Sequence, residues 1–368
     1  MYIEKVWPSN NANYRCLMPE SLANQTCALA LPTPLVSTFL ETHCQVGNLQ
    51  RFTSRYLAGG FSLKQGRLVS RKRLSLMRLG FKRKDELAES VTLQSERYRS
   101  ALQSLRKRPL TLGTLCEVHK SLDPHHHNGG RFRDVQNWIG GRSPDTAHIV
   151  PPPPENVSDL MTDWINYVNN IEQVGIEDII MLSNQFILIH PFNDGNGRLN
   201  RAIVDALLSQ IMRDEKAYIS PFLFRLAHQH NGYLDAPSAI MQGQWQQVFD
   251  FWDEAIQWSI NTTETLCKRL IMANSFIQKK LTLRQLSQHA ATLLSHISEQ
   301  PIVTPAYLSG QFGWTLLEAS TAITELLECG ILNEHRVKEP INTIIYDCQE
   351  IFDAWMEMDE VLFRVSSS

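Results

Sequence analysis

His190-Pro-Phe-Asn-Asp-Gly-Asn-Gly-Arg-Leu-Asn-Arg201 joins two apolar, helix-like segments and holds an imidazole, a carboxylate, a Gly-Asn-Gly turn and two arginines. The upstream segment, Ile179 to Ile189, is apolar around most of its circumference and reads as a largely buried helix. Pro191 cannot continue that helix and restrains the residue before it, so His190 falls where helix gives way to loop. Gly195 and Gly197 flank Asn196, which lets the backbone take positive φ values and approach a ligand closely. From Arg198 to Arg213 helical periodicity resumes, with Leu199, Ile203, Ala206, Leu207 and Ile211 on one stripe. The first N–H groups of a helix form an anion site that the helix dipole reinforces. Arg198 and Arg201 share one face of that first turn, and guanidinium forks suit phosphate oxygens. Asp194 offers the hard oxygen ligands that a magnesium ion between phosphates prefers. Taken singly, each feature has an ordinary structural explanation; a plain turn needs neither the histidine nor the paired arginines.

The stretch resembles, position for position, the signature of Fic domain proteins, His-Pro-Phe-x-Asp/Glu-Gly-Asn-Gly-Arg-x-x-Arg. The resemblance implies transfer of AMP from ATP to a protein hydroxyl, with magnesium as the accompanying ion. It makes His190 the general base and Asp194 the metal ligand, and it has Phe192 plug into the core. Gly195, Asn196 and Gly197 would cradle the α- and β-phosphates, while Arg198 and Arg201 contact the β- and γ-phosphates. An imidazole titrates near operating pH, which suits base work, and the remaining groups stabilise phosphate charge.

Gly130 to Arg142, followed by Ala147 to Pro154, also resembles the segment that precedes the active-site helix in this family. Val135 to Ile139 reads as a strand, Gly140 to Pro144 as a turn and Ala147 to Val150 as a return strand. In the family such a hairpin is a flap whose edge pairs with a target polypeptide.

The chain is long enough for two or three domains at 368 residues. A net charge of −3 gives no global attraction to nucleic acid or membrane. Seven cysteines without a Cys-x-x-Cys pair argue against a disulfide framework or zinc site and for a cytoplasmic, reducing setting. The first residues do not read as a signal peptide, and no apolar run is long enough to span a bilayer. The expected class is mostly α, a helical Fic fold with a β-hairpin flap and an added C-terminal domain. Residues 1–95 are expected to form a polar entry and a helical region. Residues 96–275 form the catalytic domain, with helices over Asn156 to Asn170 and Phe249 to Leu270. Residues 280–368 form a separate unit.

In that last unit, helices over Leu281 to Ser295, Pro305 to Phe312 and Leu316 to Cys329 precede strand-like ends within Glu334 to Asp347. This order resembles the winged-helix domain appended to many Fic proteins. Its third helix carries Glu318, Glu325 and Glu328 and no base, which phosphates would repel. Protein interaction or homodimer packing is therefore expected ahead of DNA binding.

Many relatives are restrained by a helix whose glutamate pairs with the second motif arginine. Here Gln65, in Gly59 to Gly66, is the candidate inhibitory position, with Glu41 a looser match upstream; a neutral amide cannot form the ion pair. Ser183 and Ile187 replace the His and Glu that relatives often carry beneath the site. Arg67 to Lys84 holds eight basic residues and no acid, a cluster that reads first as a solvated face. His125 to His127 read as loop rather than metal ligands, and Tyr233 as core rather than a base-stacking residue. Three functions stay in play: AMP transfer, AMP removal or transfer of another phosphate-containing group on the same scaffold, and a regulatory protein acting through the winged helix.

Overall fold

The computed structural model describes residues 1–24, 69, 71–80, 85–122, 128–211, 220–224, 236, 239–240, 244–281, 284–337 and 343–363. Gln65, Glu41, His125 to His127 and Tyr233 lie outside these residues. The chain forms two compact units, one drawn from Met1–Glu41, Arg97–Glu215 and His230–Gln257, the other from Thr42–Glu96, Lys216–Gln229 and Trp258–Ser368. Among the described residues no helix is long and apolar enough to cross a membrane.

The first unit opens on strands β1 (Tyr2–Trp7) and β2 (Ala12–Leu17), paired antiparallel from Tyr2↔Leu17 to Trp7↔Ala12. The residues expected as a polar entry to a helical region are thus a hairpin. Its signal is two alternating runs around the turn-forming Ser9-Asn10-Asn11, with Asn11 at φ 54°.

In the second unit, helix α1 (Arg71–Arg78) precedes α2 (Glu86–Leu105), which crosses from that unit into the first. The first unit continues with α3 (Leu112–Leu122), α4 (Val157–Asn170), α5 (Ile176–Ile189) and α6 (Asn196–Ile211). Helix α4 buries Val157, Met161, Trp164, Ile165 and Val168, the three-to-four spacing that makes one face apolar. That face meets α5, and Trp164 Nε1 donates to the Leu182 carbonyl at 2.9 Å. The Ser-Asn-Gln interruption of α5 is buried without loss, because each side chain is paired. Asn200 of α6 donates to Ser183 Oγ at 2.9 Å, Asn184 donates to Ile180 O, and Gln185 donates to Glu20 O.

The flap is a smaller structure than two strands. One antiparallel bridge, Ile139↔Ile149, closes it, and a 3-10 turn over Pro144–Thr146 caps its tip. Beyond the bridge, Gly140 and Gly141 both take positive φ and turn the chain. The N-terminal hairpin backs the flap: Leu17 N donates to Val150 O, Trp7 stacks edge-on against Trp138, and Leu17 packs with Ile139, Ile149 and Leu188.

The second unit also contains most of α7 (Trp245–Leu281), then α8 (Gln288–Ile297), β3 (Ile302–Val303), α9 (Pro305–Phe312), α10 (Leu316–Glu328), β4 (Asn333–Val337), β5 (Thr343–Asp347) and α11 (Gln349–Phe363). The strand order is β3-β5-β4, antiparallel throughout. Where one helix was expected over Leu281 to Ser295, α7 ends at Leu281 and α8 starts after Ser287. Ser287 caps α8 at Ala290 N and donates to Glu325, which fixes the break. Thr315 and Glu318 form a capping box on α10. Helix α1 packs into this unit, with Leu79 clustered on Ile302, Ile345 and Phe352. Part of the basic cluster is neutralised there: Arg73 pairs with Asp85 at 2.6 Å and Arg78 approaches Glu299 at 3.7 Å.

Replacing Trp164 with Ala is expected to cost about 3–5 kcal/mol, from lost burial, the cavity left behind and the lost indole bond to Leu182 O. Denaturant unfolding measures this; a loss under about 1 kcal/mol would mean that α4 does not anchor the core.

Candidate active site

The motif loop is held from beneath by groups far away in sequence. Phe192 is fully buried, and its ring stacks on His119 of α3 with centroids 3.8 Å apart and planes 5° apart. His119 is itself buried and uses both nitrogens. Its Nδ1 accepts the Gly130 N–H at 3.0 Å, so Nε2 carries the proton and donates to Asp194 O at 2.7 Å. A Cβ built at Gly195 would come 2.8 Å from that Nε2, and Gly195 has φ +81°. Glycine is required there twice over, by dihedral and by contact. Gly197 differs from expectation: its φ is not positive, it lies within the first turn of α6, and a Cβ there would meet Arg201 Nη1 at an ordinary 3.5 Å.

Asn196 is placed in the expected loop, with its side chain turned inward. Its side chain is buried and spent inside the loop, with Oδ1 accepting from Phe192 N at 2.9 Å and Nδ2 donating to Phe192 O at 2.7 Å. What it offers an anion is its backbone N–H at the start of α6, where first-turn amides lack intrahelical partners. Asp194 is outward, with its side chain 67% exposed; Oδ1 accepts from Gly195 N, and Arg198 Nη2 lies 3.4 Å from Oδ2. Arg201 is half-buried one turn along, and no described residue hydrogen-bonds or ion-pairs with its guanidinium.

His190 ends α5 in the left-handed region, φ 48° and ψ 59°. That conformation is costly for a residue with a Cβ and persists only when its surroundings impose it. Two side chains from the flap segment do so. Arg133 Nε donates to His190 O at 2.9 Å and Asn137 Nδ2 to the same oxygen at 3.2 Å. The rest of the buried Arg133 guanidinium reaches Val135 O, Pro152 O and Ile189 O, and Arg133 N donates to Pro191 O. A cation against the last carbonyls of α5 is favoured by the helix dipole. Arg133, Asn137 and His119 all lay outside the expected site residues. Their nearest sequence signal was the resemblance of Gly130 to Arg142 to the family's flap.

The His190 imidazole is neutral with one nitrogen open, and its pKa lies below the near-neutral value expected from the sequence. Its Nδ1 lies 3.2 Å from Ile187 O, a group that only accepts, so Nδ1 holds the proton and Nε2 keeps its lone pair. Burial among protein atoms lowers its pKa from 6.5 to about 4, and the Arg133 charge pushes the same way. The ring is therefore neutral at physiological pH.

A model of the Fic/DOC family matches residues 109–208, which contain the whole motif. A Protein adenylyltransferase Fic from Culex quinquefasciatus is 30% identical over 129 residues, 34% of this chain and 23% of that relative. The Nematostella vectensis protein of the same name is 28% identical over 129 residues, 27% of its length. The matched region thus spans about a quarter of these relatives. A crystal structure of a Fic family protein from Desulfovibrio desulfuricans G20 aligns with TM-score 0.49 at 15% identity, covering 87% of this chain and 97% of that one.

Two outcomes follow from the geometry. Gly195→Ala should destabilise by about 1–3 kcal/mol through positive φ and the collision with His119, read by thermal unfolding; an unchanged Tm would contradict the assigned loop conformation. The unfolded chain binds more protons than the folded one between pH 6.5 and about 4 at position 190. Stability from this residue is full above pH 6.5 and is lost as pH falls towards 4. Denaturant unfolding at pH 7.5 and 4.5 should show a smaller loss in His190→Gln than in wild type, whereas equal losses would refute a buried neutral imidazole. Residues 109–208, which carry this loop near their C-terminal end, match the Fic/DOC family.

Proposed function

We propose that the chain is a protein adenylyltransferase that moves AMP from Mg–ATP to a Ser, Thr or Tyr hydroxyl of a target protein. The observation that carries this reading is a neutral imidazole with its Nε2 lone pair free, beside a helix N-terminus that bears two arginines. In the proposed step the target oxygen attacks the α-phosphorus while its proton passes to His190 Nε2. The bond from the α-phosphorus to the bridging oxygen breaks, and pyrophosphate leaves. The N–H groups at the start of α6 and the Arg201 fork receive the phosphate charge, which is where electrostatic catalysis concentrates.

Asp194 fits a magnesium ion. Its carboxylate is exposed and supplies hard oxygens, and magnesium commonly binds one carboxylate together with substrate phosphates. Bound there, the ion would neutralise phosphate charge. Arg198 beside Asp194 would hold the carboxylate in place. The flap, with Val135 57% exposed, would take the target segment by strand addition.

Reactions that remove AMP or transfer a related phosphate-containing group would use the same base, and product analysis separates them. The C-terminal elements are read as winged-helix-like and as a protein-interaction or dimer-packing unit. Helix α10 carries acids and no base, and Glu325 and Glu328 are already engaged by Ser287 and Arg284. The described cysteines 16, 116, 329 and 348 are free, in keeping with a cytoplasmic setting.

Incubated with magnesium and ATP labelled at the α-phosphate, the purified chain should label itself or a protein in a cell lysate. His190→Ala should reduce that label by about 10²-fold or more while changing ATP affinity little. Label retained in His190→Ala, or label arising from the γ-phosphate instead, would refute the assignment.

A further inference from the structure

Asn137 sits in the flap two residues before the bridge at Ile139, yet its side chain does not serve the flap. Its Nδ2 spans the motif loop, donating to His190 O at 3.2 Å and to Phe192 O at 3.1 Å. Both partners are carbonyl oxygens, so the amide has only one usable orientation; turned over, it would set oxygen against oxygen. That orientation leaves Asn137 Oδ1 buried and without a hydrogen bond. A buried unpaired acceptor is uncommon, so the two donor bonds on the motif loop are what fix this amide's orientation.

The bonds on either side show what Asn137 joins. Arg133 also donates to His190 O, and through Val135 O it ties the start of the flap to the same carbonyl, whereas Asn137 lies two residues further along, next to the bridge. Phe192 O also accepts from Asn196 Nδ2 at the start of α6. Asn137 is therefore a second link from the flap to the strained His190 backbone, and unlike Arg133 it also reaches Phe192 O, the carbonyl that Asn196 clamps at the start of α6. The donors on His190 O act where the backbone is left-handed, so they bear on the point from which the imidazole projects, while Ile187 O holds its Nδ1.

We propose that Asn137 is a positioning residue that couples the flap to the base, so that the flap's register sets the orientation of His190. The inference rests on the adenylyltransferase reading for its consequence in turnover, and on geometry alone for its consequence at the imidazole. A polypeptide strand docked on the flap would steady Asn137 and, through His190 O, the base. Asn137 touches no reacting atom. Its effect should fall on the rate at saturating ATP and not on ATP binding.

The test compares the full chain with Asn137→Ala, Asn137→Asp and Asn137→Gln. Auto-modification by α-labelled ATP should slow about tenfold or more in Asn137→Ala, with ATP Kd within about twofold of wild type. Asn137→Asp keeps the shape but replaces the donor with oxygen, and should be at least as slow; Asn137→Gln, which keeps the amide, should recover part of the rate. In parallel, the ¹⁵N imidazole spectrum of His190, assigned by its loss in His190→Ala, should show the Nδ1-protonated tautomer in wild type and a mixture in Asn137→Asp. Should the wild type transfer no label, the adenylyltransferase reading fails while the spectrum still decides the coupling. An Asn137→Asp chain with the wild-type His190 spectrum, or with the wild-type rate where label is transferred, overturns the proposal.

Discussion

One buried guanidinium organises the site. Arg133 reaches the carbonyls of Val135, Pro152, Ile189 and His190, which belong to three separate stretches of chain. Burial lowers its pKa to about 10, which still leaves it charged at neutral pH. A charge in that position is tolerable because its N–H groups are spent on carbonyls and because the C-terminus of α5 presents negative partial charge. Without it, the last carbonyls of α5, the proline run and the base of the flap would each lose their common partner. The left-handed turn at His190 would lose one of the two donors that hold it.

Around that anchor the motif divides its labour by direction. Phe192, Asn196 and Gly195 face inward and fix the shape of the loop through packing, paired amide bonds and a dihedral. Asp194, Arg198, Arg201 and the lone pair of His190 are the groups to which the proposed reaction assigns the chemistry. Inward rigidity is what makes outward groups useful, because electrostatic stabilisation of phosphate depends on donors that do not have to reorganise. The low pKa of His190 belongs to the same logic: the enclosure that orients the ring also keeps it unprotonated.

Much of this was legible in the sequence where the signal was local. The apolar spacing in Val157 to Asn170, the helix over Pro305 to Phe312 and the break at Pro191 all come from periods and breakers within a few residues. The motif itself announced base, turn and arginines. Long-range pairings were not legible: nothing near His119 says that it will stack on a phenylalanine 73 positions away, and Asn137 reads as one polar residue in a strand. The use of the Asn196 side chain as a loop clamp was not legible either, since nothing local says that its amide will pair with both backbone groups of Phe192. The strands of Tyr2 to Leu17 did alternate, but their polar composition read as an entry segment. Of the two glycines flanking Asn196, Gly195 is the one that takes the positive φ.

The account stands on the claim that the start of α6 and His190 address the same nucleotide. A crystal structure of the chain with magnesium and a non-hydrolysable ATP analogue tests that directly. It should show the phosphates against the N–H groups at the start of α6, Arg201 on the terminal phosphates, Asp194 on the metal, and His190 Nε2 facing the side on which a hydroxyl would reach the α-phosphorus. Phosphates bound away from α6, or a His190 ring whose Nε2 is turned away from the α-phosphorus, would contradict it.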